Sequence, residues 1–435
     1  MGVSDYKDYI IDDKGKFRYG LSDEKITEII LREKPKIIGI GCVFTQHFWD
    51  IPVIAKLVKG INPDIKVVVG GNHATVFAND ILREPAIDYV VRGEGEITFY
   101  ELAVHVLRGE KNISEIKGIA YRDAAGEIRL NEPRPLIKDI EELPLPDYSL
   151  IEVERYIMPK AALSPYVMRY PLAGIFTSRG CPENCIYCTV KSVWGRSWRG
   201  ISAKKTVDWI EMLVKKYGVR EISFLDDSAS VNRQRWIDIC NEIIERKLDI
   251  KWAMPNGIAY WTLTPEILDL MKKAGCYRIT LGIESGDEET KKFIRKIHPL
   301  SKAQEIINHA NKIGMWTICT NILGFPYETK EQMQNTIDFM KRSGTDFALF
   351  YLLAPHITSD VYKYFRDEGL LNYDAVLSHQ LIDTPQYQQM VDALYRGGFA
   401  TKYVTSEELK KMQLLAYNSF FKHRAITYLL NPMHL

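Results

Sequence analysis

The sequence predicts an α/β protein with two α/β domains, the second of them a partial barrel, and a helical C-terminal region. Three observations predict this architecture. Buried-strand patterns alternate with helical patterns in the first 115 residues, six further strand–helix pairs follow up to residue 360, and the remainder reads as helix. A hairpin and a proline-bearing linker join the two domains, which gives the expected boundaries 1–115, 116–170, 171–360 and 361–435.

Composition argues against several classes of protein. The 57 Lys and Arg residues nearly balance the 56 Asp and Glu residues, so the formal charge of +1 gives no reason to expect nucleic acid or an anionic membrane as a partner. The amino terminus has no apolar signal segment, and no run approaches the roughly 18 apolar residues of a transmembrane helix. We therefore expect a cytoplasmic protein without a transmembrane segment.

The first domain contains two buried-strand patterns, "KPKIIGIGCVF" and "DIKVVVGGNHAT", each followed by a helical stretch. A third unit, "AIDYVVRGEGEITFYELAVHVLRG", repeats the order of strand, loop and helix. Such units predict a doubly wound, Rossmann-like sheet with helices on its faces. A further strand of this sheet is expected at "YKDYIID", and a hairpin is expected at "GIAYRDAAGEIRLNEPRP".

The second domain shows six strand candidates separated by amphipathic helical segments. The candidates are 173–180, 221–227, 251–257, 277–285, 315–325 and 347–356. Several of the intervening helices open with Thr, Ser or Asp and close on Gly, the residues that commonly cap helices. Near-continuous apolar strands that alternate with helices predict a parallel sheet, and six units rather than eight predict an incomplete barrel.

Three of the seven cysteines follow the spacing C-x-x-x-C-x-x-C, at Cys181, Cys185 and Cys188. A zinc site usually pairs two C-x-x-C modules, and the sequence has no second pair, so zinc would need a distant Cys or His. A nucleophilic cysteine needs one thiolate and a base rather than three thiolates. Thiolates on one loop suit an iron–sulfur cluster, and three protein ligands would leave one iron open to a substrate. The four scattered cysteines predict no disulfide framework.

The stretch "CPENCIYC" resembles the signature of the radical S-adenosylmethionine (SAM) superfamily, with Tyr187 at the aromatic position before the third cysteine. The resemblance implies a 4Fe–4S cluster on the three cysteines, whose open iron binds SAM and cleaves it reductively to a 5′-deoxyadenosyl radical. It also implies a partial (β/α)6 barrel and a low-potential electron donor of the flavodoxin or ferredoxin type.

SAM-binding residues are expected at the carboxyl ends of the strands, where parallel barrels place their chemistry. By the resemblance, Tyr187 would lie against the adenine and Glu284, in "GIES", would bind the ribose or the methionine end. The full set of expected SAM-binding residues is Tyr187, Asp226, Asn256, Gly282, Glu284, Ser285, Gly324 and Phe325. Asp227 could instead cap the helix that follows it.

The first domain resembles the amino-terminal domain of cobalamin-dependent radical SAM enzymes. Glycines at its strand ends would let the backbone lie against the cobalamin tail. The cobalamin-binding residues that the resemblance implies are Gly41, Cys42, Val43, Gly70, Gly71 and His73. His47 is a second candidate ligand of the cobalt, although a loop histidine more often only forms hydrogen bonds. The first strand and helix of the family have no counterpart before Tyr6, so a shortened domain is expected.

These features predict a cobalamin-dependent radical SAM enzyme that methylates an unactivated carbon of a small molecule. Two alternatives stay open: a radical cyclisation or rearrangement without methyl transfer, and a non-catalytic iron–sulfur or corrinoid-binding protein. No motif identifies the substrate, because a fold does not define its ligand.

Overall fold

The computed structural model describes residues 9–11, 17–157, 167–371 and 397–430. The chain divides into two compact units, one ending at Ile137 and the other beginning at Lys138. Among the described residues, no helix has both the length and the hydropathy needed to cross a bilayer.

The first unit is an α/β fold of short strands. Its strands are β1 (Tyr9–Ile11), β2 (Phe17–Tyr19), β3 (Ile37–Gly41), β4 (Lys66–Gly70), β5 (Tyr89–Val91), β6 (Ile119–Arg122) and β7 (Ile128–Leu130). Its helices are α1 (Asp23–Glu33), α2 (Asp50–Ile61), α3 (Asn72–Val76), α4 (Ala78–Ile81) and α5 (Gly95–Arg108). Strands β3, β4 and β5 are parallel neighbours with helices between them, which confirms the predicted Rossmann-like sheet.

The predicted hairpin continues this sheet. Strand β6 pairs antiparallel with β5, and β7 pairs antiparallel with β6, so the sheet has the order β3–β4–β5–β6–β7. Strand β4 lies between β3 and β5 and carries Val67, Val68 and Val69, all at most 2% exposed. Helix α5 and the hairpin complete this core with the buried side chains of Leu102 and Ile119. The apolar run that predicts β4 therefore contributes to the core of the unit.

The expectation that "YKDYIID" adds a strand to the parallel sheet is wrong. Within this stretch, β1 pairs antiparallel with β2, with Tyr9 opposite Tyr19, in a separate two-stranded sheet. Five residues separate the two strands, and they include Asp and Gly, which favour turns. A parallel pair would need a crossover of a dozen or more residues, so β1 and β2, which are five residues apart, pair antiparallel.

The second unit contains the predicted strand–helix repeats. Its strands are β8 (Leu172–Ile175), β9 (Ser178–Arg179), β10 (Arg199–Gly200), β11 (Glu221–Phe224), β12 (Lys251–Ile258), β13 (Cys276–Glu284), β14 (Trp316–Leu323) and β15 (Phe347–Leu352). Its helices are α6 (Glu154–Ile157), α7 (Val190–Val193), α8 (Ala203–Tyr217), α9 (Arg233–Glu245), α10 (Pro265–Lys273), α11 (Glu288–Phe293), α12 (Leu300–Lys312), α13 (Lys330–Ser343), α14 (Asp360–Asp367) and α15 (Ser406–Leu430).

Six of these strands form one parallel sheet in the order β8–β11–β12–β13–β14–β15. Each strand neighbours the next strand of the sequence repeat, and β8 and β15 are the two edges. The sheet is therefore an open, six-unit barrel, as predicted. The short strands β9 and β10 pair with each other outside this sheet, on either side of the cysteine loop.

Aromatic packing fixes the sheet against its helices. Phe224 on β11, Trp236 on α9 and Trp252 on β12 are each at most 1% exposed. Their ring centroids lie 5.2 to 5.6 Å apart in edge-to-face geometry. Such pairs contribute about 0.5–1.5 kcal/mol each beyond the burial of their area. These core residues therefore hold β11 and β12 against α9.

The predicted helix caps are present. Ser202 caps α8, Thr264 caps α10, and Thr329 forms a capping box with Gln332 at α13. The side chain that caps α9 is that of Asn232, so the alternative of Asp227 as this cap is wrong. Asp227 lies too early in the chain, because several residues separate the end of β11 from the start of α9.

The described part of the C-terminal region contains the long helix α15, which follows a predicted cap. The Thr405 hydroxyl accepts a hydrogen bond from the Glu408 backbone at 3.3 Å, and the Glu408 carboxylate accepts one from the Thr405 backbone at 2.9 Å. These reciprocal bonds satisfy amides that the first helical turn leaves without partners. The predicted helical segment between residues 372 and 396 lies outside the described residues.

Candidate active site

A cavity of about 690 Å³ opens at the carboxyl ends of the parallel strands in the second unit. The side chains of Cys181, Cys185 and Cys188 line it together with residues from the ends of β12, β13, β14 and β15. This is the edge where parallel strand ends leave room for loops that bind ligands. The structure therefore brings the cysteine motif and the strand-end residues into one site.

The cysteine loop leaves the sheet through a turn that requires glycine. Gly180 has a φ of +81°, and a Cβ atom there would lie 2.5 Å from the Ser197 carbonyl oxygen. A side chain is therefore excluded both by the backbone conformation and by the close approach of the neighbouring segment. Burial raises the pKa of Cys181 and Cys185, and it raises the pKa of Cys188 to about 11.

The donor set fits a cluster better than a single ion. All three thiols are free and line the same cavity. Among the described residues, no three histidine, cysteine or acidic side chains converge as ligands of one metal ion, which a tetrahedral zinc site would require. An iron–sulfur cluster instead takes one thiolate at each of several irons, so the thiolates can lie farther apart. Metal binding would also offset the raised thiol pKa values, since coordination deprotonates a thiol.

Beside the cysteines, Gly282 and Glu284 lie at the end of β13. Glu284 has a φ of +67°, which turns its carboxylate back over Gly282. A Cβ atom on Gly282 would lie 2.6 Å from the Glu284 Oε1 atom and 3.5 Å from the Lys296 Nζ atom. Burial raises the pKa of Glu284, while the positive charge of Lys296 and a hydrogen bond from Tyr187 oppose that shift.

Tyr187 links this carboxylate to the cysteine loop. Its hydroxyl is hydrogen-bonded to Glu284 and interacts with the thiol of Cys185, and burial raises its pKa well above the ordinary value. On the other side, its ring centroid lies 5.9 Å from that of Phe325. Tyr187 is therefore in contact with the cysteine site, the end of β13 and the loop after β14. Asn256, at the end of β12, lines the same cavity and donates to the Leu225 carbonyl oxygen at 2.8 Å.

Asp226 does not line the cavity, contrary to the sequence prediction, and Asp227 does. The Asp226 carboxylate is fully buried, and its Oδ1 atom accepts hydrogen bonds from the Thr177 backbone, the Thr177 hydroxyl and the Ser178 hydroxyl. Burial raises its pKa, and these hydrogen bonds together with Arg235 oppose the rise. Asp226 thus supports the exit of the chain from β8 into the cysteine loop.

Ser285, Gly324 and Phe325 also lie behind the cavity wall rather than on it. The Ser285 hydroxyl is buried against that of Thr336 on α13, at 3.1 Å. The backbone N–H groups of Gly324 and Phe325 donate to the buried Glu328 carboxylate at 2.7 and 3.2 Å. These three predicted residues are therefore adjacent to the site, but the Ser285 hydroxyl and the backbone N–H groups of Gly324 and Phe325 bond other buried residues.

Trp261 and Lys296 are among the cavity residues that the sequence analysis did not identify. Trp261 follows the end of β12 and lines the cavity, and Lys296 reaches it from the segment between α11 and α12. The Lys296 Nζ atom lies 5.4 Å from the centre of the Trp261 ring. The strand-end rule could have found Trp261, which lies three residues beyond β12. No signal pointed to Lys296, because its segment contains many charged residues and lies 12 residues after Glu284.

The first unit has a second candidate site at the ends of β3 and β4. A Cβ atom on Gly71 would lie 2.6 Å from the Cys42 carbonyl oxygen, so only glycine allows these two loops to touch. The Cys42 backbone donates to the Gly70 carbonyl oxygen at 2.7 Å. A Cβ atom on Gly41 would meet nothing within 4 Å. Beyond it, Val43 is 53% exposed, which leaves an open apolar edge of the kind that a corrinoid could cover.

The expectation that His73 faces a ligand at this edge is not met. Its ring is buried between Phe48 and Phe77, with centroids at 4.7 and 4.5 Å, and its Nδ1 atom lies 3.1 Å from the Thr45 hydroxyl. Burial lowers the pKa of His73 to about 3. A histidine enclosed by two aromatic rings serves as a packing residue. His47, by contrast, is exposed.

Two family models match the chain, one in each of its two units. The family model for the radical SAM superfamily matches residues 175–340, and the model for the B12 binding domain matches residues 16–103. The uncharacterized methyltransferase PH0819 of Pyrococcus horikoshii is 33% identical over 404 residues, which cover 92% of this chain and 82% of the relative. The cytidylyl-2-hydroxyethylphosphonate methyltransferase of Streptomyces wedmorensis is 29% identical and is covered over 71% of its length, with 82% of this chain matched.

Other relatives catalyse a different reaction. The anaerobic magnesium-protoporphyrin IX monomethyl ester cyclase of Rubrivivax gelatinosus is 29% identical over 80% of this chain and 61% of the relative. Among solved structures, the cobalamin-dependent SAM radical enzyme OxsB, with aqua-cobalamin and SAM bound, superimposes with a TM-score of 0.64. The match covers 92% of this chain and 60% of OxsB at 21% identity, which shows that the fold is shared.

The fold and the sites define a radical SAM enzyme with an attached B12-binding domain. The chain belongs to the cobalamin-dependent radical SAM family, and its cofactors are a 4Fe–4S cluster, SAM and cobalamin.

Proposed function

We propose that this enzyme transfers a methyl group from SAM to an unactivated carbon of a small molecule. The observation that carries this proposal is the match to two methyltransferases over 82% and 71% of their lengths. Such coverage extends over both domains, so it includes the B12-binding domain that methyl transfer would use. The proposal concerns only the type of reaction, because the substrate of a relative does not identify the substrate of this chain.

The proposed residue roles follow from the position of each side chain in the cavity. Cys181, Cys185 and Cys188 would hold the cluster, and its open iron would face the cavity that they line. Glu284 and Lys296 would bind the polar groups of SAM, since one offers acceptors and the other offers donors within a single wall. When bound, the cluster supplies SAM with a low-potential electron for its cleavage, and cobalamin supplies a carrier for the methyl group.

The protein's own part is to position these groups and to exclude water. Tyr187 donates to the Glu284 carboxylate, which fixes that carboxylate beside the cysteine loop. Gly282 leaves space for the carboxylate, since a side chain there would overlap it. The apolar walls formed by Ile258 and Ile322 keep hydrogen-bonding solvent away from a reactive carbon radical. These residues therefore act through geometry and not through proton transfer.

The substrate would occupy the side of the cavity formed by the end of β15. His356 and Tyr351 line this wall, and the His356 side chain makes no hydrogen bond to another described residue. Desolvation in the cavity lowers the pKa of His356, which favours the neutral ring, and a neutral imidazole can both donate and accept a hydrogen bond. We propose that His356 hydrogen-bonds a polar group of the substrate and sets which carbon faces the radical.

An external protein would deliver the electron. We propose a low-potential carrier of the flavodoxin or ferredoxin type, since SAM cleavage needs an electron that the chain itself does not supply. The nearly neutral composition gives no reason to expect nucleic acid as the substrate, and we propose a small molecule.

The decisive experiment is anaerobic reconstitution with iron, sulfide and cobalamin, followed by incubation with SAM and a strong reductant. Formation of 5′-deoxyadenosine together with S-adenosylhomocysteine supports a methyltransferase. Formation of 5′-deoxyadenosine alone supports the alternative of a cyclase or rearrangement enzyme, which the cyclase relatives favour. Absence of both products from a chain with a full iron content contradicts an enzymatic role.

Two cysteine variants test the site. Cys185→Ala should abolish SAM cleavage, because it removes a cluster ligand from the cavity. Cys240→Ala is the matched control, since Cys240 is a buried thiol on α9 that does not line the cavity. Full SAM cleavage by Cys185→Ala would show that the cluster lies elsewhere.

A further inference from the structure

We propose that the segment Ile294–His298 is a clamp that holds the cysteine loop in its cluster-binding conformation before iron is bound, with His298 as its positioning residue. The loop clamp denotes these five residues, between α11 and α12. The proposal rests on the assignment of Cys181, Cys185 and Cys188 as cluster ligands. Of these five residues only Lys296 lines the cavity, and the proposal adds a function for the other four.

The clamp contacts the loop at three successive places between the first and the third cysteine. The His298 Nε2 atom lies 3.2 Å from the Glu183 Oε1 atom. The Arg295 guanidinium donates to the Asn184 side-chain oxygen at 3.4 Å. The Ile186 backbone N–H donates to the Ile294 carbonyl oxygen at 3.3 Å. Side chains and backbone of the loop are thus both restrained from one direction.

A second contact restrains the loop from the start of α14. The Val361 backbone N–H donates to the Ile186 carbonyl oxygen at 2.8 Å. Asp360 then pairs with Arg295 of the clamp at 2.9 Å and with Lys191, just beyond the third cysteine, at 2.6 Å. Ile186 therefore has both of its backbone polar groups bonded outside the cysteine loop. Its side chain is fully buried as well.

The position of His298 is itself determined by its surroundings. Its ring stacks on Trp261 with a centroid distance of 4.1 Å and an interplanar angle of 5°. Its carbonyl oxygen accepts a hydrogen bond from Lys291, which is only 1% exposed. A side chain held on its face, at its backbone and at Nε2 has little rotamer freedom left, so its contact with Glu183 costs little further entropy.

The loop clamp also contributes one side chain, that of Lys296, to the cavity wall. Lys296 belongs to the same five residues, lies over the Trp261 ring and contributes a positive charge near Glu284 and Cys185. Arg295, between these contacts, has a φ of +61°, a left-handed conformation that a non-glycine residue keeps only where the surrounding structure imposes it. The segment therefore has one defined conformation, in which it contacts the cysteine loop and also places Lys296 near Glu284.

The test uses the full-length chain in both its metal-free and reconstituted forms. His298→Phe keeps an aromatic ring against Trp261 but removes the nitrogen that contacts Glu183. Glu183→Gln keeps an oxygen acceptor and is the conservative variant. The matched control is His309→Phe, because His309 lies 2.8 Å from Asp269 and has the same 18% side-chain exposure as His298, but pairs α12 with α10.

The first readout is hydrogen exchange in the metal-free chain, which does not depend on the reaction catalysed. We expect His298→Phe to raise the exchange rate of the peptide containing Ile186 about tenfold, the factor expected for one lost hydrogen bond. Glu183→Gln should give a smaller increase, and His309→Phe should give none. Equal exchange rates in wild type, His298→Phe and Glu183→Gln would overturn the proposal.

The second readout is the iron retained after reconstitution and its rate of loss to a chelator. We expect His298→Phe to lose iron several-fold faster than wild type and His309→Phe, with Glu183→Gln between them. Unchanged iron loss in His298→Phe would also contradict the clamp. If the cysteines did not bind a cluster, Cys185→Ala would fail to alter the iron content, while the exchange result would still decide whether the clamp exists.

Discussion

The Ser178 hydroxyl donates a hydrogen bond to the Asp226 carboxylate over 2.6 Å, and the same oxygen, Oδ1, accepts two further bonds from Thr177 at 2.9 Å each. This relationship joins the end of β11 to the residues that follow β8. Because the cysteine loop begins immediately afterwards, the buried carboxylate determines the direction in which that loop leaves the sheet.

We expect Asp226→Ala to destabilise the second unit by about 2–4 kcal/mol, since it leaves three donors and the nearby Arg235 without their buried acceptor. The unfolding free energy of this unit from urea titration, with iron content after reconstitution, measures the effect. Asp249→Ala is the control, because this carboxylate is 79% exposed in its pair with Arg169, and we expect no measurable change. Equal stability of Asp226→Ala and wild type would exclude this role.

Gly282→Ala should weaken SAM binding by about tenfold or more without loss of iron. The added Cβ would lie 2.6 Å from the Glu284 carboxylate and displace it from the cavity wall. Equilibrium binding of SAM to the reconstituted chain measures this change. Gly60→Ala is the matched control, because a Cβ atom there, inside α2, meets nothing within 4 Å. SAM affinity equal to that of wild type would show that Glu284 does not contact SAM.

Lys296→Met should also weaken SAM binding, by about tenfold to a hundredfold, because it leaves the Glu284 carboxylate without its nearby cation. The methionine keeps most of the apolar stem, so the effect reports on the charge. Lys312→Met, at the exposed end of α12, is the control. Iron content should stay at the wild-type level in both variants. Unaltered SAM affinity in Lys296→Met would show that Lys296 does not contribute to SAM binding.

The stability of the first unit should depend on His73. Burial lowers its pKa to about 3 in the folded chain, from an ordinary value of 6.5. As the pH falls below 6.5, the unfolded chain therefore binds a proton at His73 that the folded chain does not bind. The contribution of His73 to the free energy of unfolding is complete above that pH and is lost below it. Between pH 7 and pH 5 we expect the loss to reach about 2 kcal/mol.

His73→Phe should remove this pH dependence, since phenylalanine does not titrate between Phe48 and Phe77. Urea titrations at pH 7 and pH 5 compare the two chains, and the difference between their pH slopes isolates the histidine from other titrating groups. His47→Asn, at an exposed position, should keep the wild-type slope. The same slope in His73→Phe as in wild type would refute the assignment.

Much of the fold could be predicted from the sequence because the parallel strands are buried on both faces and read as continuous apolar runs. Strand β13, for example, was expected at 277–285 and spans Cys276–Glu284. The cysteine loop was equally clear, since three thiols within one short stretch have few other uses. The parallel assignment of "YKDYIID" failed because a short apolar run does not reveal which strand it will pair with.

The details of the candidate site were harder to predict. Asp226 and Asp227 are adjacent and chemically alike, yet only Asp227 lines the cavity, because the backbone after β11 turns successive side chains in different directions. Lys296 arrives from a loop whose position depends on the packing of α11 and α12. Strand ends identify the edge of the sheet, whereas the side chains that face the cavity depend on tertiary contacts that no local pattern encodes.

The edge strand β15 is hydrogen-bonded to side chains of the helix α15. The Phe350 backbone N–H donates to the Tyr417 hydroxyl at 3.1 Å, and its carbonyl oxygen accepts from the Gln413 side chain at 2.7 Å. Tyr417 and Gln413 both belong to α15, so their side chains bond backbone groups with which an additional strand would otherwise pair. Open backbone groups on an edge strand can pair with other molecules, so these contacts of α15 reduce the chance of self-association at this edge.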